Sequence, residues 1–175
     1  MAKNDKTVFV TVGSTGFDQI IRLLISSASF QILKSLGYTK LNIQYGKSCE
    51  AYNEAMKIQI DSNVQNKIQI VGYDYKSSLG QDMLESDLII SHAGSGSILE
   101  SLRLNKPLIV VVNEGLMDNH QAELAIELEN KGYLVYSSTS NLLEILKSQT
   151  YENLIPFPEP DATIFANILN EEMGV

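Results

Sequence analysis

The sequence predicts a Rossmann-like α/β domain with a doubly wound parallel sheet. Short apolar or β-branched segments alternate along the chain with longer segments in which apolar residues recur at helical spacing. This alternation favours parallel strands joined by right-handed helical crossovers. The most apolar segment, Leu108–Val112, has no polar face, which is typical of a strand covered by helices on both sides.

The first third of the chain predicts two strand–helix units. Residues 7–12 are largely β-branched, which indicates a strand. After a glycine-containing turn, the apolar residues of segment 17–25 fall on one helical face, and a second helical piece ends at Gly37, a typical helix-terminating glycine. Residues 41–45 predict the second strand, and a polar helix follows over residues 50–60.

The rest of the chain repeats this order of strand and helix. Its predicted strands cover residues 67–71, 87–91, 108–112 and 134–136. Its predicted helices lie within 77–85 and over 97–104, 119–130 and 141–147. Ligands of such sheets bind beyond the carboxyl ends of the strands, near the reversal of strand order. We therefore expect one crevice formed by residues 13–16, 72–75, 92–97 and 113–121.

Length and charge limit the class of protein. The chain has 175 residues and a formal net charge of −8, and this length predicts a single domain with a sizeable core. The acidic balance argues against nucleic acid and anionic membranes as direct partners.

With one cysteine, Cys49, neither a disulfide framework nor a cysteine metal cluster is predicted. The N-terminal residues lack the apolar region of a signal peptide, so we expect a cytoplasmic protein.

Two turns rich in small residues each open a predicted helix: GSTG at residues 13–16 and HAGSGS at residues 92–97. Glycine allows a ligand to approach the backbone closely, and the unpaired N–H groups of a helix start favour an anion. Together on one crevice, the turns would hold a pyrophosphate. For either turn alone, a tight βα connection is the simpler interpretation.

Other motifs fail on spacing. The GKS of residues 46–48 lacks the glycine that a Walker A loop needs, because that position is Leu41. The dinucleotide fingerprint and the hydrolase motif G-x-S-x-G are both absent. Asp118 and His120 are only a weak metal constellation, and no metal site is predicted.

Glu100 has two interpretations. It is either the partner of Ser97 in a capping box, which the spacing favours, or a carboxylate that binds a ribose diol.

Four segments carry a family resemblance: TVGST, IQYG, SHAGSGSILESLRLNKPLIVVVNEGLMDNHQ and PFP. They resemble the donor-binding half of GT-B glycosyltransferases of the MurG type. Within that group they are most similar to the small cytosolic catalytic subunits of the eukaryotic dolichol-linked UDP-GlcNAc transferase. The resemblance implies a fold equivalent to the C-terminal, donor-binding half of a GT-B enzyme.

The resemblance also implies a site for UDP-GlcNAc, with no other cofactor. The implied phosphate-binding residues are Gly13, Ser14, Thr15, Gly94, Ser95, Gly96 and Ser97. Glu100 would bind the ribose, and His92 belongs to the same site. The residues implied to hold uracil, largely through their backbone, are Tyr73, Asp74 and Tyr75. Those implied to read the GlcNAc hydroxyls are Asn119, His120 and Gln121.

The implied reaction is inverting transfer of GlcNAc from UDP-GlcNAc to GlcNAc-PP-dolichol, the second step of lipid-linked oligosaccharide synthesis for N-glycosylation. The general base is not identified, and the resemblance implies that a partner supplies it. That partner would be a membrane-anchored acceptor-domain subunit at the cytosolic face of the endoplasmic reticulum, forming a heterodimer. Two alternatives stay open: a non-catalytic nucleotide-binding regulatory module, and a small serine hydrolase using Ser95 or Ser97 with His92.

The C-terminal residues predict a separate docking element. Pro156, Pro158 and Pro160 prevent a continuous helix. Beyond them, an apolar stripe suits either a groove on a partner or the chain's own sheet; it consists of Ile164, Phe165, Ile168 and Leu169. We therefore divide the chain into a nucleotide-sugar-binding domain, residues 1–155, and a proline-rich turn with a partner-docking helix, residues 156–175.

Overall fold

Six parallel strands form the centre of the molecule. The structure is a computed structural model, and it describes residues 5–61, 68–113 and 119–159, without the side chains of residues 60, 61 and 119–121. The strands are β1 (Lys6–Thr11), β2 (Tyr38–Gln44), β3 (Gln69–Tyr73), β4 (Leu88–His92), β5 (Leu108–Val112) and β6 (Val135–Ser138). Their order across the sheet is β3-β2-β1-β4-β5-β6, which confirms the predicted doubly wound fold.

Helices connect the strands and cover both faces of the sheet. They are α1 (Asp18–Leu24), α2 (Ser27–Ser35), α3 (Cys49–Asp61), α4 (Gly80–Glu85), α5 (Ser95–Arg103), α6 (Asn119–Asn130) and α7 (Leu142–Ser148), followed by a 3₁₀ turn (Thr150–Asn153). The order of the strands reverses between β1 and β4, which pair directly. The segments that leave the carboxyl ends of these two strands therefore meet at the switch point.

The core has two halves, one on each face of the sheet. Along β1, Val8 and Val10 pack into one half, and Phe9 packs into the other. All five residues of β5 are buried, as expected for a strand covered on both sides. These two packed faces hold the strand ends, and hence the segments that follow them, in fixed positions.

The predicted order of strands and helices is confirmed through α7, with shifts at the ends of elements. The most informative shift is at α5, which begins at Ser95 instead of Ser97. Gly94 is its N-cap residue, and no side chain caps this helix. The capping-box interpretation of Ser97 and Glu100 is therefore wrong, because Ser97 is already the third residue of the helix.

The segment after the 3₁₀ turn packs back on the domain. The Ile155 N–H donates to Gly132 O at 2.8 Å, and the Phe157 N–H donates to Asn105 Oδ1 at 3.1 Å. The ring of Phe157 meets Tyr133 edge-on, with 5.1 Å between ring centres. Residues 160–175, including the predicted docking helix, lie outside the described residues, so the division at residue 155 stays a prediction. Within the described part of the chain, no helix is long and apolar enough to cross a membrane.

Candidate functional site

The turn after β1 is held by the segment after β2. Gly13 and Gly16 have positive φ angles, 66° and 83°, which favour glycine. The Phe17 N–H donates to the buried Ser48 Oγ at 2.7 Å. A side chain at Gly16 would come within 2.7 Å of the same Oγ. Ser14 and Thr15 are exposed at the tip of this turn, where a ligand can reach their backbone.

The turn after β4 leads directly into α5. Gly94 has an extended backbone, with φ −75° and ψ 121°, and Ser95 and Gly96 are exposed in the first helical turn. The first N–H groups of a helix have no intrahelical acceptor and lie at the positive end of the helix dipole. Because no side chain caps α5, this helix start offers those donors to an anion at the switch point.

The imidazole of His92 lies between the two turns. A Cβ at Gly13 would lie 2.6 Å from His92 Nε2, and a Cβ at Gly94 would overlap the same atom. His92 Nδ1 is 3.4 Å from Thr11 O. Burial lowers the pKa of His92, and the contact with Thr11 O offsets this only in part. The ring is therefore neutral at physiological pH, and an acceptor at Thr11 O suits the tautomer with its proton on Nδ1.

Gln44 is a central residue that the sequence analysis missed. Its side chain is 3% exposed and accepts from Thr11 Oγ1 at 2.7 Å. Its amide nitrogen donates to Gly13 O at 3.0 Å and to Asp74 O at 2.7 Å. The amide thus joins the turn after β1 to the segment after β3. The sequence signal that could have identified Gln44 is a glutamine inside a strand. A buried amide side chain needs hydrogen-bond partners within the protein.

The segment after β3 combines a hydrogen-bonded cluster around Asp82 with an exposed tyrosine. Tyr73 lies in the strand, and its hydroxyl donates to Asp82 Oδ2 at 2.6 Å. Lys76 Nζ donates to the same oxygen at 2.7 Å. Burial raises the pKa of Asp82, but hydrogen bonds from Lys76, Tyr73 and Asn42 outweigh it, and the net shift is downward. Tyr75 is 72% exposed.

Glu100 lies one turn into α5, beyond the uncapped helix start. Its side chain is exposed and forms no ion pair with the described residues. A Cβ at Gly80 would lie 3.1 Å from Glu100 Oε1, so the carboxylate reaches across to the first residue of α4. A carboxylate acceptor is therefore present one turn from the uncapped start of α5.

Among the described residues, His92 is not placed to act as the base of a serine hydrolase. The ring of His92 contacts Thr11, Gly13 and Gly94, and no hydrogen bond joins it to Ser95 or Ser97 in the described part of the chain. The described residues also contain no group of three or more His, Cys, Asp or Glu side chains that could hold a metal ion.

The third predicted part of the site is only partly described. α6 begins at Asn119, after β5, and so at the same edge of the sheet as the two turns. The side chains of Asn119, His120 and Gln121 lie outside the described residues, as does Asp118. Their assignment to the sugar stays a prediction.

The parallel sheet, the two switch-point turns and the uncapped start of α5 define a class: a Rossmann-like domain whose switch point is lined by two glycine turns and a free helix start. Comparison with known families is more specific. Residues 7–167 match the glycosyltransferase family 28 C-terminal domain, and the chain belongs to this family.

Individual relatives agree with this assignment. The chain is 45% identical, over 131 residues, to the UDP-N-acetylglucosamine transferase subunit ALG13 of Mus musculus; the match covers 75% of this chain and 10% of the mouse protein. An NMR solution structure of ALG13 has a TM-score of 0.70 and 32% identity, covering 98% of both chains. Acinetobacter baumannii MurG shares the fold, with a TM-score of 0.64 and 19% identity over 99% of this chain and 44% of MurG.

Proposed function

We propose that this chain is the donor-binding catalytic subunit of an N-acetylglucosaminyltransferase. The proposed reaction transfers GlcNAc, with inversion, from UDP-GlcNAc to GlcNAc-PP-dolichol. The observation that carries the proposal is the pair of glycine turns on either side of His92, with the uncapped start of α5 in one of them. Family membership and the printed names of the ALG13 relatives support the choice of donor.

The donor is proposed to lie across the switch point. Its diphosphate would accept hydrogen bonds from the backbone of Gly13, Ser14 and Thr15 and from the start of α5. Glu100 would accept from the ribose diol, since its carboxylate has no ion-pair partner in the described residues. Uracil would lie on the backbone of residues 73–75, and GlcNAc on residues 119–121 at the start of α6.

The chemistry proposed for the site is stabilisation of the leaving group. The acceptor's 4-hydroxyl attacks the anomeric carbon while the bond to the UDP oxygen breaks, so negative charge develops on the diphosphate. Backbone N–H groups that are already fixed in direction stabilise this charge without reorganising during the step. The attacking hydroxyl must also lose its proton, and a base on a second subunit is proposed to accept it.

The partner is proposed to be a membrane-anchored, acceptor-binding subunit. The relatives are named as subunits, and the chain corresponds to 44% of MurG. The remaining half of a GT-B cleft, the lipid-linked acceptor site and the membrane anchor would come from this second chain. We propose that the complex forms at the cytosolic face of the endoplasmic reticulum.

Calorimetric titration with UDP tests the proposed donor site. Glu100→Gln removes the charge and keeps the size of the side chain, so UDP should bind about tenfold more weakly through the lost charge-assisted hydrogen bonds. Glu144→Gln changes an exposed helical glutamate on α7 and is the matched control, for which affinity should stay within twofold.

A ligand lacking the ribose 2′-hydroxyl sharpens this test. Wild type should bind 2′-deoxy-UDP more weakly than UDP, whereas Glu100→Gln should bind the two ligands almost equally, because the carboxylate and the hydroxyl form one interaction. Equal binding of UDP by wild type and Glu100→Gln would exclude the ribose role of Glu100. A wild-type chain that binds neither UDP nor UDP-GlcNAc would contradict the proposed function.

A further inference from the structure

The side chain of Gln44 joins two segments that are distant in sequence. We call residues 13–16 the phosphate turn and residues 73–75 the base segment. Gln44 is the last residue of β2, and it pairs with Thr11 at the end of β1 and with Tyr73 at the end of β3. The carboxyl ends of β1, β2 and β3 are thus in register, and Gln44 lies on the central strand of the three.

The amide of Gln44 uses its hydrogen-bonding groups within the protein. The nitrogen donates to Gly13 O in the phosphate turn at 3.0 Å and to Asp74 O in the base segment at 2.7 Å. The oxygen accepts from Thr11 Oγ1 at 2.7 Å, which fixes the direction of the amide. At 3% exposure, the side chain cannot itself contact a ligand.

Glutamate, methionine and asparagine could not make this connection. Glutamate of the same length has no donor in its ionised form, methionine has none, and asparagine is one methylene shorter. The neighbouring backbone reinforces the contact, because a side chain at Gly46 would collide with Gly13 O. The carbonyl of Gly13 is thus held by the amide and closely approached by the backbone of Gly46.

We propose that Gln44 is a positioning residue that sets the distance between the phosphate turn and the base segment. The protein then recognises a nucleoside diphosphate as one unit, because both ends of the ligand find their partners at the correct spacing. This inference rests on the proposed function, since it assigns the phosphates and the base to these two segments. The advantage of joining two ligand parts covalently is largest when their sites are held at a matching distance.

The test compares one linked ligand with its parts. The full chain is titrated with UDP, with uridine and with pyrophosphate, as wild type and as Gln44→Met. Loss of the three hydrogen bonds of the amide should weaken UDP binding about tenfold or more. Uridine and pyrophosphate should each change by less than about threefold, since each needs only one correctly formed segment.

The chain offers a matched control in Gln59. This glutamine is 7% exposed and also donates to a backbone carbonyl, Ile25 O at 2.9 Å, on the helices away from the switch point. Gln59→Met should lower the melting temperature while leaving UDP affinity within about twofold. If Gln44→Met does not fold, Thr11→Val is measured instead. It removes the hydroxyl that orients the amide and that also accepts from the Gly13 N–H at 3.4 Å, and the loss should be smaller and again larger for UDP than for uridine or pyrophosphate.

Two results would overturn the inference. One is an unchanged affinity for UDP in the Gln44 or Thr11 variant, and the other is an equal loss for UDP, uridine and pyrophosphate, which indicates a purely structural role. In both cases wild type still binds UDP. Failure of the proposed function differs from these results, because the wild-type chain itself would then not bind UDP.

Discussion

His92 explains why two distant positions must be glycine. Its partly buried ring occupies the space that a side chain at Gly13 or Gly94 would need, so both turns fold against one imidazole. Gly13 also has a positive φ of 66°, which a larger residue would adopt only with strain. A single side chain thereby sets the separation of the two turns proposed to bind the diphosphate.

The partly buried ring of His92 predicts a pH-dependent stability. Burial lowers its pKa in the folded protein, whereas the unfolded chain titrates near the ordinary value of about 6.5. As pH falls below about 6.5, the unfolded state binds the proton first, so the free energy of unfolding decreases towards the lower, folded pKa. His92→Gln should remove this decrease, which is at most about 1.4 kcal/mol per pH unit.

Urea unfolding of both proteins at pH 7, 6 and 5 measures the effect. Asp82 contributes little to the change in unfolding free energy between pH 7 and 5. Its pKa is lowered in the folded state, so this carboxylate gains its proton only at more acid pH. Parallel pH profiles for wild type and His92→Gln would contradict the neutral, buried state of the ring.

At the level of elements, the turn after β1 depends on the segment between β2 and α3. Ser48 is 2% exposed, and its Oγ accepts from the Phe17 N–H at 2.7 Å, just before α1 begins. The GKS of residues 46–48 thus has a structural use in place of the rejected Walker A role. It supports the neighbouring glycine turn instead of wrapping a phosphate itself.

Ser48→Ala should therefore destabilise the protein. The substitution leaves the buried Phe17 N–H without its acceptor, which costs about 1–3 kcal/mol. UDP affinity should fall as well, because the turn before α1 loses its support. Ser35→Ala is the control, since that exposed hydroxyl donates only to Ile32 O within its own helix, and it should cost less than about 0.5 kcal/mol. Equal denaturation midpoints for the two variants would contradict the supporting role.

The sequence predicted elements well where the apolar pattern is strong. Leu108–Val112 was expected as a buried strand and is one, because burial on both faces demands an uninterrupted apolar run. The start of α5 was misplaced by two residues, because Ser95 and Gly96 have low intrinsic helix propensity and the apolar pattern of the helix begins only after them. The bonds of Gln44 were not predictable, because its partners Gly13 and Asp74 lie about thirty positions away in either direction.

On the scale of the whole molecule, residues 154–159, which follow the 3₁₀ turn, pack against the domain. Contacts of Ile155 with Gly132 and of Phe157 with Asn105 and Tyr133 fix this segment near the end of α5. Asn105 lies between α5 and β5, at the edge of the sheet opposite the switch point. The proposed donor site and the anchored start of the C-terminal residues are therefore at opposite ends of the parallel strands.

This separation predicts that partner binding and donor binding can be removed independently. Deletion of residues 161–175 keeps the contacts of Ile155 and Phe157, so the domain should stay folded and bind UDP-GlcNAc within about twofold of the full chain. The deletion should abolish co-purification with the proposed membrane-anchored subunit. Ile168→Lys should act in the same way, because it places a charge in the apolar stripe, whereas Asn170→Lys, outside the stripe, should not. A deleted chain that still co-purifies with the partner, or a full-length chain that transfers GlcNAc to the lipid acceptor without one, would contradict this arrangement.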